Sequence, residues 1–235
     1  MKRDNLNAFL LHRRPYRETS YLAEFFTQEE GKVHAVCKGV RGSKSDRKSL
    51  LQPFQPILVT VYGRNELKNA GSVESVSKPF PLVGRAMFSG MYLNELLSRC
   101  LPIEVAFPNV FDAYTDALQA LTENAPLEPL LRNFELLLLD ELGYTPDWDY
   151  DCETGESILP DSYYQYINEQ GFTCAPVNGL RAQIPGNIII DIAQRHWHPM
   201  SLKWSKHIMR QAFLPILGTK PLKSRELFLH MEQQR

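Results

Sequence analysis

Ser20-Tyr-Leu-Ala-Glu-Phe-Phe-Thr27, then Glu29-Glu30-Gly31, then Lys32-Val-His-Ala-Val-Cys-Lys38 is the stretch on which the fold turns. Two short runs rich in Val, Phe, Tyr and Leu flank turn material, and they read as strand, turn and strand. The same texture continues on both sides, in Asn5–Leu11 before it and in Ile57–Tyr62 and Glu66–Val76 after it. A long loop, Gly39 through Ser49, and a short turn, Gly63-Arg64-Asn65, separate these runs. Five short strands with one long basic loop predict a small closed barrel of the SH3-like or OB type. Pro79 and Pro81 bracket Phe80 and mark a hinge at its end.

Beyond residue 82 the apolar period changes from two to that of a helix. Val83–Leu101 places Met87, Met91, Leu93, Leu96 and Leu97 at helical spacing, and Val110–Leu121 repeats the pattern. Leu130–Leu142 is a strongly apolar helix that Gly143 closes from a C′ position. Met200–Leu214 is amphipathic, begun by Pro199 and stopped by Pro215, and a short helix is expected over Ser224–Met231. The stretch 145–187, with four prolines and four glycines, reads as irregular. The expectation is an α+β, two-domain chain: a barrel over 1–80 and a mostly helical domain over 81–235.

The 235 residues are 43% hydrophobic and 23% charged, an ordinary globular composition that excludes collagen-like, mucin-like and wholly disordered chains. The longest aliphatic run is Leu136–Leu139, so neither a transmembrane helix nor a membrane partner is expected. Lys2 and Arg3 are followed only by Ala8–Leu11 before His12, too short an apolar region for a secretory signal. Cys37, Cys100, Cys152 and Cys174 form no CxxC pair, which points to reduced thiols in a cytoplasmic protein. The net charge of −1 conceals an asymmetry: +6 over 1–80, −8 over 81–150, −4 over 151–200 and +5 over 201–235. Such a dipolar field steers partners more than the net charge does.

Several chemistries fail on spacing. Gly39-Val-Arg-Gly-Ser-Lys-Ser45 departs from a phosphate loop because Ser43 intervenes between Gly42 and Lys44. Asp147, Asp149 and Asp151 begin like a calcium loop, but Cys152 and Ile158 stand where Gly and a bidentate Glu are needed. His196 and His198 alternate without an evident third ligand. Neither GxSxG nor HExxH occurs, so no enzymatic activity and no cofactor are expected. What survives is a run of cations, Lys38, Arg41, Lys44, Arg47 and Lys48, opposed only by Asp46, with Arg13, Arg14 and Arg17 beside Tyr16. Long cationic side chains on a glycine- and serine-rich loop suit a phosphate backbone. Phe9, Tyr21, Phe25 and Tyr62 would stack bases if they faced outward, although the barrel core is the commoner place for such rings. Non-enzymatic protein–protein adaptor, its basic loop meeting acidic partners, is the alternative; a metal-dependent nuclease would need carboxylates near the barrel, and most lie elsewhere.

Several stretches carry a pattern together. They are Ala8-Phe-Leu-Leu-His-Arg-Arg-Pro-Tyr-Arg-Glu-Thr-Ser20, Lys38-Gly-Val-Arg41 with Lys44-Ser45, and Leu51-Gln-Pro-Phe-Gln-Pro56. In the second half they are Tyr92-Leu-Asn-Glu-Leu-Leu-Ser-Arg99, Arg132-Asn-Phe-Glu-Leu-Leu-Leu-Leu-Asp-Glu-Leu-Gly-Tyr144 and Lys220-Pro-Leu-Lys-Ser-Arg-Glu-Leu-Phe228. Together these stretches resemble the bacterial RecO family of DNA repair proteins, and the match runs in order nearly end to end. The resemblance implies an N-terminal OB-fold, a helical C-terminal domain and a recombination mediator without catalysis. It implies binding of single- and double-stranded DNA, strand annealing, and RecA loading on DNA coated by single-stranded DNA-binding protein (SSB). The setting would be the repair of DNA damage at double-strand breaks and gaps in the RecF pathway, at the nucleoid. The implied partners are RecR, RecF in some lineages, and the acidic C-terminal tail of SSB. Many relatives carry a four-cysteine zinc module; here Cys152-Glu-Thr-Gly155 and Thr173-Cys174-Ala-Pro176 each keep one Cys, so the zinc is not carried over and the insertion is read as degenerate.

The amphipathic helix 200–214 offers a place for such a tail. At 100° steps Lys203, Lys206, His207 and Arg210 share one arc and Trp204, Ile208, Met209, Ala212 and Phe213 the opposite one. The apolar arc is expected to pack on the helix 130–142, with Arg132 completing the tail site beside the stripe.

Overall fold

A computed structural model describes residues 2–41, 47–175 and 183–226. By packing, the chain divides into two compact units, Met1–Leu127 with Pro221–Arg235, and Glu128–Lys220.

The first unit is built on a closed five-stranded barrel of OB-like order, β1-β2-β3-β5-β4, sealed by β1 against β4. The strands are β1 (Lys2–Tyr16), β2 (Ser20–Thr27), β3 (Gly31–Cys37), β4 (Ile57–Tyr62) and β5 (Leu67–Ser75). A short helix, α1 (Arg47–Leu50), stands between β3 and β4. The parallel pairing of β3 with β5, His34 opposite Leu67, joins the β1-β2-β3 meander to the β4–β5 hairpin. Leu6, Ala8, Leu10, Ala23, Phe25, Val33, Ala35, Ile57, Val59 and Val61 fill the interior, the alternate residues of each strand. β1 is longer than its apolar run predicts and bends at irregularities between Arg3 and Leu6 and between Leu10 and His12.

Ala8 through Leu11 are all buried, because two helices, α2 (Gly84–Cys100) and α3 (Pro108–Thr122), cover the outer side of β1. Phe9 meets Phe111 at 5.5 Å and Tyr114 at 5.0 Å between ring centroids. The Tyr114 hydroxyl donates to Asn94 Oδ1 at 2.5 Å, and the Asn94 amide reaches the carbonyls of Leu10 and Leu11 at 3.5 and 3.4 Å. Burial pushes the Tyr114 hydroxyl pKa well up, so it remains a donor. Lys32 is buried too; its ammonium donates to the Ser98 carbonyl at 2.6 Å, and desolvation lowers its pKa. Buried Lys68 pairs with Glu104, which also meets Arg3. Gly31, at φ +70°, lies so close to the Val105 carbonyl that a Cβ would overlap it. Pro221–Ser224 returns to α2, where the Glu95 carboxylate accepts from the backbone of Lys223 and Ser224 at 2.9 and 2.8 Å.

The second unit contains α4 (Leu127–Glu141, its first residue shared with the first unit), β6 (Tyr163–Ile167), β7 (Gly171–Cys174), β8 (Ile184–Pro185), α5 (Gly186–Ala193), α6 (Pro199–Ala212) and α7 (Leu214–Leu217). Gly143 takes φ +75° as expected of a C′ residue, and the Tyr144 N–H returns to the Leu139 carbonyl at 2.8 Å. The stretch expected to be irregular holds a three-stranded sheet ordered β7-β6-β8. Tyr164, Tyr166 and Phe172 are its buried side, on strands of five and four residues, too short for a clear period. Helix α6 lies against α5, a neighbour its apolar arc did not suggest. Residues 223–226 are helical; the rest of the helix expected over Ser224–Met231 lies outside the described residues. Among the described residues no helix is long and apolar enough to cross a membrane.

Candidate nucleic-acid interface

β1 and β2 are paired down to Tyr16 opposite Ser20, so the turn Arg17–Thr19 forms a hairpin tip. Arg17 sits there at φ +51°, in the left-handed region, with its guanidinium 5.2 Å from the centre of the Tyr16 ring. Arg13 lies 4.8 Å from the centre of the Tyr21 ring and donates to the Lys48 carbonyl at 3.4 Å, joining the hairpin to α1. The segment after β3 is stitched to the same tip. The Arg41 N–H donates to the Thr19 carbonyl at 3.0 Å, and the Arg41 guanidinium donates to the Arg17 carbonyl at 2.9 Å. A concavity of about 490 Å³ lies here, walled by Tyr16, Arg17, Glu18, Val36 and Lys38.

Residues separated by more than twenty positions are thereby brought to one end of the barrel. Arg14, Arg17, Lys38, Arg41 and Lys48 are exposed there, and Arg13 is half-buried against Tyr21. Lys44 and the side chain of Arg47 lie outside the described residues. Exposed cations around a concave wall, with Glu18 as the acid among its lining, suit a polyanion held by charge rather than by a fixed hydrogen-bond pattern.

The aromatic candidates separate by burial. Phe25 is fully enclosed in the barrel, and Phe9 is 2% exposed, packed against α3. Tyr62 is 40% exposed, with the Lys2 ammonium 5.8 Å from its ring centre. Tyr16 and Tyr21 are half-buried and each carries an arginine on its face. Sequence reasoning missed one feature of the β2–β3 surface. His34, paired in register with Glu24, has ring nitrogens 3.7 Å from the Glu24 carboxylate and 3.8 Å from that of Glu66. The signal lay in the period of two, which puts residues 22, 24, 34 and 36 opposite the core-facing Ala23, Phe25, Val33 and Ala35.

In the second unit Lys203, Lys206, His207 and Arg210 are all exposed along α6. Ser205, Ile208, Met209 and Ala212 are buried on its other side. The Trp204 ring meets His207 edge-on at 5.8 Å, and its buried indole N–H finds no hydrogen-bond acceptor among the described residues. Arg132, expected to complete this site, donates to buried Glu135 at 2.6 Å, with its side chain 11% exposed.

The degenerate zinc-module region is held by a carboxylate. Asp151, 4% exposed, accepts through Oδ1 from the N–H groups of Glu153 and Thr154 at 2.9 and 3.1 Å. Through Oδ2 it accepts from the Cys174 N–H at 2.7 Å. These bonds outweigh desolvation and lower its pKa. Cys152 and Cys174 are exposed thiols, and burial together with Asp151 and Glu153 raises the Cys152 pKa. His198 contacts Asp191 at 2.9 Å and His196 lies 3.8 Å from it. Among the described residues no three or more His, Cys, Asp or Glu are grouped to hold a metal ion.

Comparison with known proteins converges on one family. Residues 1–79 match the family model described as "Recombination protein O N terminal", and residues 83–187 match "Recombination protein O C terminal". A protein of Pseudoalteromonas atlantica called DNA repair protein RecO is 47% identical over 228 residues, covering 97% of this chain and 95% of its own. Its namesake in Alteromonas mediterranea is 45% identical over 230 residues, 97% of this chain and 98% of that one. The protein of the same name in Vibrio cholerae is 42% identical over 221 residues, 94% and 91% of the two chains. With both halves matched in order and relatives aligned over almost their whole length, the chain belongs to the RecO family.

Proposed function

We propose that this chain acts in DNA repair and recombination as a DNA-binding mediator that brings complementary strands together. The observation that carries the reading is the convergence of Arg14, Arg17, Lys38, Arg41 and Lys48 at one end of an OB-like barrel. Such a pole holds phosphate backbones loosely, raising the local concentration of two strands while leaving base edges free to pair. Loose binding serves annealing, since buried bases cannot be read by a second strand. Both single- and double-stranded DNA fit a site of this kind, and no catalytic step is required of it.

Delivery to coated single strands is the second half of the reading. The cationic stripe Lys203, Lys206 and Arg210 lies beside the Trp204 N–H, which has no acceptor among the described residues, a combination that suits an acidic peptide with an apolar end. On this reading the tail of SSB docks there, with RecR, and in some lineages RecF, as further partners in loading RecA. Fluorescence anisotropy with a labelled single-stranded oligonucleotide of mixed sequence tests the first half. Saturable binding at low salt that weakens steeply with added salt is expected; a purely protein-binding adaptor would show none. A labelled acidic tail peptide titrated against Lys206→Glu/Arg210→Glu tests the second. Unchanged peptide affinity in the folded variant would move the tail site off α6.

A further inference from the structure

On the first unit a second cavity, of about 420 Å³, opens between the Asn7–Phe9 stretch of β1, the residues just after β5 and α3. Its floor is aromatic: Phe9 lies 6.4 Å from Phe80 and 5.5 Å from Phe111, measured between ring centroids. Its wall carries Asp112 and Asp116, one turn apart on α3, and its opposite rim carries Val76, 55% exposed. Like charges at this spacing disfavour a helix, and α3 contains no Lys or Arg to offset them. Among the described residues neither carboxylate has an ion-pair partner; Asp112 accepts only from the neutral amide of Gln28, at 3.2 Å. Glu29 adds a negative charge beside the same rim, through its 3.0 Å bond with Asn7 of the lining.

Uncompensated carboxylates over an aromatic floor define a cation site with a greasy base. The faces of aromatic rings attract cations, and a guanidinium or ammonium there gains from rings and carboxylates together. We propose that this groove docks a segment of a partner protein in which Arg or Lys stands beside an apolar residue. The cation lies between Asp112 and Asp116, and its apolar neighbour covers Phe80 and Val76. The sign of the charge decides the partner: the groove repels DNA and acidic peptides, so it complements a basic–apolar segment and is distinct from the surfaces assigned above.

The test uses the full chain and two fluorescein-labelled peptides, Ser-Gly-Arg-Leu-Phe-Arg-Gly-Ser and the same peptide with Glu in place of both Arg. The wild-type chain is expected to prefer the Arg peptide by ~10-fold, and Asp112→Asn/Asp116→Asn to lose most of that preference. Asp112→Lys/Asp116→Lys is expected to reverse it in favour of the Glu peptide. Both aspartates are exposed, so the variants fold, which circular dichroism verifies. Equal binding of the two peptides by the wild type, or continued preference of the Lys variant for the Arg peptide, overturns the proposal. So does self-association in sedimentation that the Lys variant abolishes, because the occupant is then a second copy of this chain.

Discussion

Replacing Arg14 with Ala, Arg17 with Asn and Lys38 with Ala removes three of the five exposed cations at the barrel's basic pole. Asn is chosen at residue 17 because the backbone there stands at φ +51°, which Asn tolerates better than Ala. The scaffold keeps its stitches, since both bonds from Arg41 end on backbone carbonyls, those of Thr19 and Arg17. Each neutralised phosphate of a single strand contributes about −0.7 to the slope of log K against log salt. If the five cations each meet one phosphate, the wild-type slope is about −3.5 and the variant's about −1.4. Between 50 and 200 mM salt, the wild type then loses roughly 130-fold in affinity and the variant roughly 7-fold. The assay is anisotropy of a labelled mixed-sequence oligonucleotide across that range, with circular dichroism confirming the fold. A variant that keeps the wild-type slope would show that these three side chains do not face the phosphates, and the basic pole would lose its role.

Three further outcomes test the framework around the sites. Asp151→Ala leaves three backbone N–H groups without their acceptor and should cost about 2–4 kcal/mol in urea unfolding. Because the folded-state pKa of Asp151 is lowered, its contribution is complete at neutral pH and is lost as the pH falls through the folded value. A change below about 0.5 kcal/mol at pH 7 would dismiss the carboxylate as a cross-link. Tyr114→Phe strips buried Asn94 Oδ1 of the 2.5 Å bond it accepts and should destabilise the chain by about 1–3 kcal/mol, again read by urea. Chelator treatment should leave the thermal midpoint where it is, since two separated thiols do not complete a tetrahedral site; stoichiometric zinc in freshly purified, untagged protein would contradict this.

Local patterns settled much of the architecture. Apolar alternation and turn residues determined the β2–β3 pair, and the core followed, because a strand's side chains must alternate between faces. The helical period over residues 83–142, with Gly143 as terminator, did the same for α2, α3 and α4. The charges of the basic pole were equally legible as residue types. Which of them meet was decided only by tertiary structure. Register places Arg17 at the hairpin tip, and hydrogen bonds from Arg41 draw the post-β3 segment to it, neither of which composition expresses. Arg132 is a further case: the sequence offered it as a peptide contact, and only folding shows that it pairs with Glu135. The same holds for α6, whose apolar arc was plain but whose contact with α5 was not. An amphipathic stripe specifies that a face is buried; the covering element follows from chain path and packing, which no local period encodes.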